Sequence, residues 1–283
     1  MTKTVMALKS PNGNCHSNSH GPGYSYTYDP SAMVANESLA DWTNAWWAWS
    51  DRLDPVNNPF TDKTGALANQ GNHGPVYFVA GSFEPQEVNG QTVYTADRSF
   101  DVPLGKPLLI PLINNDFCIP AVGGVTVHAA EKQIDKFLQT NCSHVTDVFL
   151  KIDGTTILDE NPISFLNPAT GQPDYKSSPG YVESGFMTQG KLLPHSEDTL
   201  GQANLGWTDL NNNALDATLF RGADLFPAKA AGWWTLVSNL SPGTHTIEFG
   251  GTSTGYVGAN GAFTPYLFNL DVTDHITVGP CHG

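Results

Sequence analysis

The sequence predicts an all-β fold, a jelly-roll-like antiparallel β-sandwich decorated by two helices. Three observations carry that expectation. Glycine (28) and proline (20) are abundant while charged residues make up only 14% of the chain, the profile of many short strands joined by tight turns. Short apolar or alternating runs recur between turn dipeptides such as Asn89-Gly90 and Asp153-Gly154. Two stretches have a helical period instead. A chain of 283 residues suits one large β domain, read here as an irregular arm over 1–30 and a single sandwich over 31–283.

In chain order, Asn12–Asp29 is polar and rich in Gly, Ser, Asn and His, which is the composition of the arm. Ser38 and Asp41 stand three apart before an apolar run, close to a capping box. Leu39, Trp42, Trp46, Trp49 and Leu53 then recur at spacings of three and four, one face of a helix that Pro55 ends. That face is expected to plug a core, and truncating one of its tryptophans to Ala should cost roughly 3–5 kcal/mol. Trp47 lies about 100° off the stripe and is left free for a ligand or a second layer.

Asn57–His73 is turn-rich, and Val76–Gly81 reads as a buried strand. Asn89-Gly90 centres a hairpin. Ser99–Val102 and Pro107–Asn114 form a strand–turn–strand unit in which Pro111 demands a bulge or an edge. Thr126–Thr140 is the second helix, with Val127, Ala130, Ile134, Phe137 and Leu138 on its apolar face. Val145–Leu158 is a hairpin about Asp153-Gly154, a pair suited to two positive φ angles. Tyr181–Thr188, Trp233–Leu240, Thr244–Gly250 and Tyr266–Val278 read as further strands.

The formal charge of −14 excludes nucleic-acid binding, which needs Lys/Arg patches. No run of 18 apolar residues is present, so no membrane span is expected. Met1–Ser10 is too short and polar for a signal peptide. The low Lys/Arg content and the cysteines still point to a secreted or periplasmic protein whose signal is absent from this chain. Four cysteines allow three pairings, of which Cys118–Cys142 with Cys15–Cys281 is expected. The long loop closed by the second bridge would make it worth roughly 4–5 kcal/mol. Sequons stand at Asn36, Asn141 and Asn239.

Trp46-Trp47-Ala48-Trp49, Val76–Phe83, Phe100–Asn114 and Gly232–Gly251 together resemble a group of exported bacterial β-sandwich proteins of no settled function. The resemblance implies the fold and export. It implies no catalytic residue.

Four constellations could carry chemistry. His73 and Asp116 sit at strand ends, where loops place sites, and could serve as a base and its orienter or as metal ligands. His128, Glu131 and Asp135 share one helix face and could hold a metal. Cys15, His16 and His20 with Cys142, His144, Cys281 and His282 could gather zinc, although only His16–His20 has the usual spacing. Asp209, Asn211, Asn213 and Asp216 alternate like calcium ligands, but Ala214 and Phe220 stand where an EF-hand wants Gly and Glu. Each also has a plain reading as turn chemistry or a solvated face. Zincin, P-loop and dinucleotide motifs are absent from the sequence.

The leading expectation is a module that binds a polysaccharide or another extracellular polymer through Trp47, Trp207, Trp233 and Tyr256. The alternative is a hydrolase or lyase using His73, Asp116 and His128. A third reading is a structural surface protein stiffened by disulfides and calcium.

Overall fold

In the computed structural model, the described residues are 23–50, 53–54, 56–120, 127–189, 225–257, 263–264 and 267–279. Among them the chain is mostly β with two helices. It runs β1 (Ser25–Thr27), β2 (Met33–Val34), β3 (Glu37–Ser38), α1 (Leu39–Ser50), β4 (Tyr77–Phe78), β5 (Pro85–Val88), β6 (Gln91–Val102) and β7 (Leu108–Pro120). Then follow α2 (Val127–Cys142), β8 (Val145–Ile152), β9 (Thr155–Glu160), β10 (Tyr181–Glu183) and β11 (Met187–Gln189). The chain closes with β12 (Leu225–Ser238), β13 (Gly243–Ser253), β14 (Tyr256–Val257), β15 (Phe263–Thr264) and β16 (Phe268–Val278).

Two six-stranded sheets result. The first has the order β1-β12-β7-β4, with β10 and β11 also pairing β12; the second is β5-β6-β16-β13-β8-β9. The sheets are mixed rather than purely antiparallel, because β4 runs parallel to β7 and β6 parallel to β16. These pairs join distant segments, and local pattern does not reveal them. Ser25–Thr27, placed in the arm by composition, is instead an edge strand on β12. Pro111 sits at the register shift opposite Trp233 and Trp234, as a proline in a central strand requires.

Alternation along β12 separates two cores. Trp233, Ala231 and Val237 join Ile110, Leu112, Leu150, Ile247, Phe249 and Val272 between the sheets. Trp234 and Leu236 point the other way and meet Leu109, Trp42, Trp46 and Trp49 under α1. The layers are therefore helix, sheet, sheet. Gly232, at φ +151°, lets Asn114 lie directly over the strand; a Cβ there would collide with the Asn114 backbone.

The tryptophan helix behaves as its spacing predicts. Ser38 and Asp41 cap it reciprocally, with Asp41 N–H donating to Ser38 Oγ (3.1 Å) and Ser38 N–H to Asp41 Oδ2 (3.3 Å). Each stripe indole then donates to a backbone carbonyl: Trp42 to Val34 (2.9 Å), Trp46 to Val79 (2.8 Å) and Trp49 to Gln70 (2.9 Å). Asn89-Gly90 and Asp153-Gly154 take the positive φ angles expected of their hairpins.

A buried ion pair joins these layers. Arg98 on β6 donates Nε–H to Asp274 Oδ1 (2.7 Å) and Nη2–H to Asp274 Oδ2 (3.0 Å) on β16. Its remaining N–H groups reach the carbonyls of Pro59 (3.0 Å), Gly81 (3.2 Å) and Ala80 (2.7 Å). Replacing Arg98 with Met should lower unfolding stability by about 3–5 kcal/mol, since the Asp274 carboxylate is left buried without a partner. Urea denaturation of Arg98→Met, Asp274→Leu and the double variant checks this. The double variant is expected to lose less than the two single losses added together.

Candidate functional site

The structure separates the expected catalytic residues. Tyr77 on β4 lies opposite Leu108 on β7, and Asp116 lies opposite Ala230 further along β7. At ~3.3 Å per residue, the eight residues from Leu108 to Asp116 span about 26 Å. Exposed His73 precedes Tyr77, on the side away from Asp116, beside Asn72 whose carbonyl accepts from Lys106 Nζ (2.9 Å). The His73–Asp116 pairing expected from sequence is therefore not formed. His128 is exposed on α2, with Nδ1 3.7 Å from Glu131 Oε2, and Asp135 turns to Lys229 rather than toward them.

The aromatic expectations also change. Trp233 is fully buried and donates Nε1–H to Ser178 Oγ (2.8 Å), so it is a core residue and not a platform. Trp47 is half-buried, edge-on to Trp46 at 5.1 Å. Its Nε1, like those of Trp234 and Asn114 Oδ1 in kind, is a buried polar atom without a hydrogen-bond partner. Tyr256 lies in β14, with its side chain outside the described residues. Trp207, the candidate calcium loop Asp209, Asn211, Asn213 and Asp216, and Cys15 and Cys281 also lie outside them.

Cys142 is a free, fully buried thiol, pushed up to about 12 by burial, and lies beside the Asn115 side chain. Three residues along β7 separate Asn115 from Cys118, about 10 Å, too far for a disulfide that needs Cα atoms within about 7 Å. The Cys118–Cys142 bridge is thus not present.

Among the described residues, the densest charged cluster lies where α2 and β10 meet β12. Lys229 donates Nζ–H to Asp135 Oδ1 (2.8 Å) on α2 and to Glu183 Oε1 (2.5 Å) on β10. Glu183 Oε2 accepts from Lys176 Nζ (2.7 Å) and from the Tyr181 hydroxyl (3.0 Å). Lys229 also lies 4.8 Å from the Phe186 ring centroid. Burial alone would raise the Glu183 carboxyl, yet the bonds and charges of Lys176 and Lys229 bring it down to about 2. Burial would lower Lys229, and its two carboxylate partners reverse that. Burial pushes the Tyr181 phenol up. Glu183 and Lys229 are thus each held in the charged form by neighbours of opposite sign. The cluster docks α2 on the sheet and offers no group poised to exchange a proton.

The open edge of the two sheets carries a different arrangement. β1 ends the first sheet and β9 ends the second. Tyr26 lies in β1 and Tyr24 and Tyr28 flank it, both packed on the inter-sheet core. Tyr26 stands between them, 46% exposed, its ring 6.4 Å from that of Tyr28 and tilted by 33°. Burial raises the Tyr24 phenol, and the charge of Asp153 at the β8–β9 turn adds to it. Burial likewise raises Tyr28, helped by Tyr26 and by Glu160 on β9. Asp153 is itself held by His245 Nδ1 (2.7 Å) and by the Thr246 N–H (2.9 Å). Sequence reasoning missed this tyrosine ridge by reading composition over Asn12–Asp29; the period of two in Tyr24-Ser25-Tyr26-Thr27-Tyr28 was the available signal.

No family model, curated protein or solved structure matches the chain.

Two outcomes are expected from this geometry. The Glu183 carboxyl is depressed in the folded state, so its stabilisation is present above the ordinary carboxylate range and is lost as pH falls toward about 2. Urea midpoints measured between neutral and acid pH should fall more steeply for the unaltered protein than for Glu183→Gln. Iodoacetamide mapping by mass spectrometry should leave Cys142 unmodified in the native protein and label it in denaturant, because the reactive thiolate is suppressed by burial.

Proposed function

We propose that this chain is a secreted or periplasmic β-sandwich of jelly-roll type that binds a polysaccharide or other extracellular polymer along the β1 edge. The observation that carries the reading is the exposed Tyr26 ring beside that of Tyr28, between two tyrosines that pack on the core. Flat rings held by a core below and open above can stack on the apolar faces of a polymer without losing much side-chain freedom. The acidic, lysine-poor surface and the resemblance of the tryptophan and hairpin segments to exported sandwiches support the location. Calcium at Asp209, Asn211, Asn213 and Asp216 belongs to the same proposal as a stabilising ion.

Tyr26 replaces the tryptophans as the principal contact. Trp47 stays as a secondary candidate on the opposite face of the first sheet, where its half-buried ring packs against the helix-covered core. The hydrolase reading loses its support with the separation of His73 and Asp116. Affinity electrophoresis through soluble polysaccharides tests the proposal. Tyr26→Ala should lose most retardation while its melting temperature stays close to that of the unaltered protein, since that ring is half in solvent. Retardation unchanged in Tyr26→Ala would reject the ridge as the binding surface.

A further inference from the structure

A serine, a histidine and an aspartate line up at one turn end of the second sheet. Asp153 sits in the turn between β8 and β9, His245 lies beside it on β13, and Ser241 is in the turn that leads from β12 into β13. Asp153 Oδ2 lies 2.7 Å from His245 Nδ1, and His245 Nε2 lies 3.3 Å from Ser241 Oγ. The carboxylate is fixed from behind. Thr246 N–H donates to Asp153 Oδ1 (2.9 Å), and Asp153 N–H donates to the Thr246 carbonyl (2.8 Å). The His245 side chain is only 9% exposed, while Ser241 is open to solvent. Gly243, between Ser241 and His245, takes a positive φ of +130° that glycine permits, in the turn that brings the two together.

The chemistry of the partners assigns the protons. A carboxylate only accepts, so His245 Nδ1 carries the hydrogen and donates it to Asp153. In the neutral ring Nε2 is then an acceptor, and the Ser241 hydroxyl is the donor within reach. The Ser241 carbonyl, 3.0 Å from Nε2, also only accepts. It becomes a partner once Nε2 is protonated, and so favours the imidazolium that proton abstraction creates. We propose that Ser241 is a nucleophile with His245 as its general base and Asp153 as the positioning residue, and that the three cleave carboxylic esters presented at this surface. Ser241 Oγ attacks the ester carbonyl carbon as its proton passes to Nε2. The carbon–oxygen bond to the alcohol breaks, and the alcohol leaves with that proton. Water then attacks the acyl carbon and gives a proton to Nε2. The acyl–Oγ bond breaks, the acid departs, and Nε2 returns the proton to Ser241. One ester and one water become one acid and one alcohol. The G-x-S-x-G run over Gly251–Gly255 is a separate feature, because Ser253 Oγ donates to the carbonyls of Gly255 (3.1 Å) and His144 (3.4 Å) and not to a base. The site is also distinct from His73 and Asp116, and it does not depend on polymer binding at Tyr26.

The full chain is treated with a biotinylated fluorophosphonate and, separately, with p-nitrophenyl acetate. Peptide mapping by mass spectrometry should find the phosphonyl group on Ser241. Nitrophenolate should appear with an initial burst as acyl-Ser241 accumulates. Ser241→Ala removes only an exposed hydroxyl, so it should abolish label and burst while the melting temperature holds. His245→Gln should slow both reactions by roughly 10²–10⁴-fold, the range of a positioned general base. Asp153→Asn should lower kcat with KM nearly unchanged, a split that a merely structural role for this turn would not produce. Absence of the phosphonyl group from Ser241 in the unaltered protein overturns the proposal. So does labelling of Ser241 at full rate in His245→Gln, or ester hydrolysis that Ser241→Ala leaves unchanged. The Ser241 readouts decide the matter even if the substitutions at His245 and Asp153 loosen the two turns.

Discussion

The Arg98 guanidinium is the constraint on which the rest of the structure depends. It has five N–H donors in a fixed plane, and the fold supplies an acceptor for each: two Asp274 oxygens and the carbonyls of Pro59, Ala80 and Gly81. Desolvating a charged pair is costly, and its attraction offsets that cost only when every polar atom is satisfied. Here they are. The consequence is positional. Asp274 lies on β16, Arg98 on β6, and the three carbonyls lie on the segment between α1 and β5, so the parallel pair β6–β16 is tied to the chain beneath the tryptophan helix. That same segment supplies the acceptors for Trp46 and Trp49. One buried pair thus couples the inter-sheet core to the helix-covered core.

β12 does the complementary work. Adjacent side chains on a strand face opposite ways, and Trp233 and Trp234 use that rule to anchor one core each. A strand covered on both faces has no face left for a ligand. Lys229 enters the same strand only because Asp135 and Glu183 meet it. The binding edge we propose therefore lies at the rim of the first sheet, where β1 ends it and Tyr26 is half open to solvent.

Local chemistry was legible in the sequence and distant assembly was not. The two hairpins at Asn89-Gly90 and Asp153-Gly154 were readable because their turns need positive φ at neighbouring residues. The α1 plug was readable because its tryptophans repeat at helical spacing and its cap is three residues wide. Trp233 could not be assigned to a core, since that depends on α2 and β10 arriving over β12. His73 does precede β4, but Asp116 lies inside β7, which runs on to Pro120 where the sequence suggested an end at Asn114; the distance between the two residues depends on the parallel register of β4 on β7. The partners of Lys229 are 94 and 46 residues away in sequence. The β1 tyrosines were the avoidable miss, hidden by a composition average over a segment that contains a clear alternation.

The account centres on a binding edge built from Tyr24, Tyr26 and Tyr28 against β9. Its most direct test is a two-dimensional amide NMR titration of the isotope-labelled protein with a panel of soluble oligosaccharides. The account predicts saturable shifts confined to residues 24–29 and 153–160, with the amides around Trp47 and α2 unmoved. Shifts centred on α1 or α2 with the β1 edge silent, or none anywhere at saturating oligosaccharide, would contradict it.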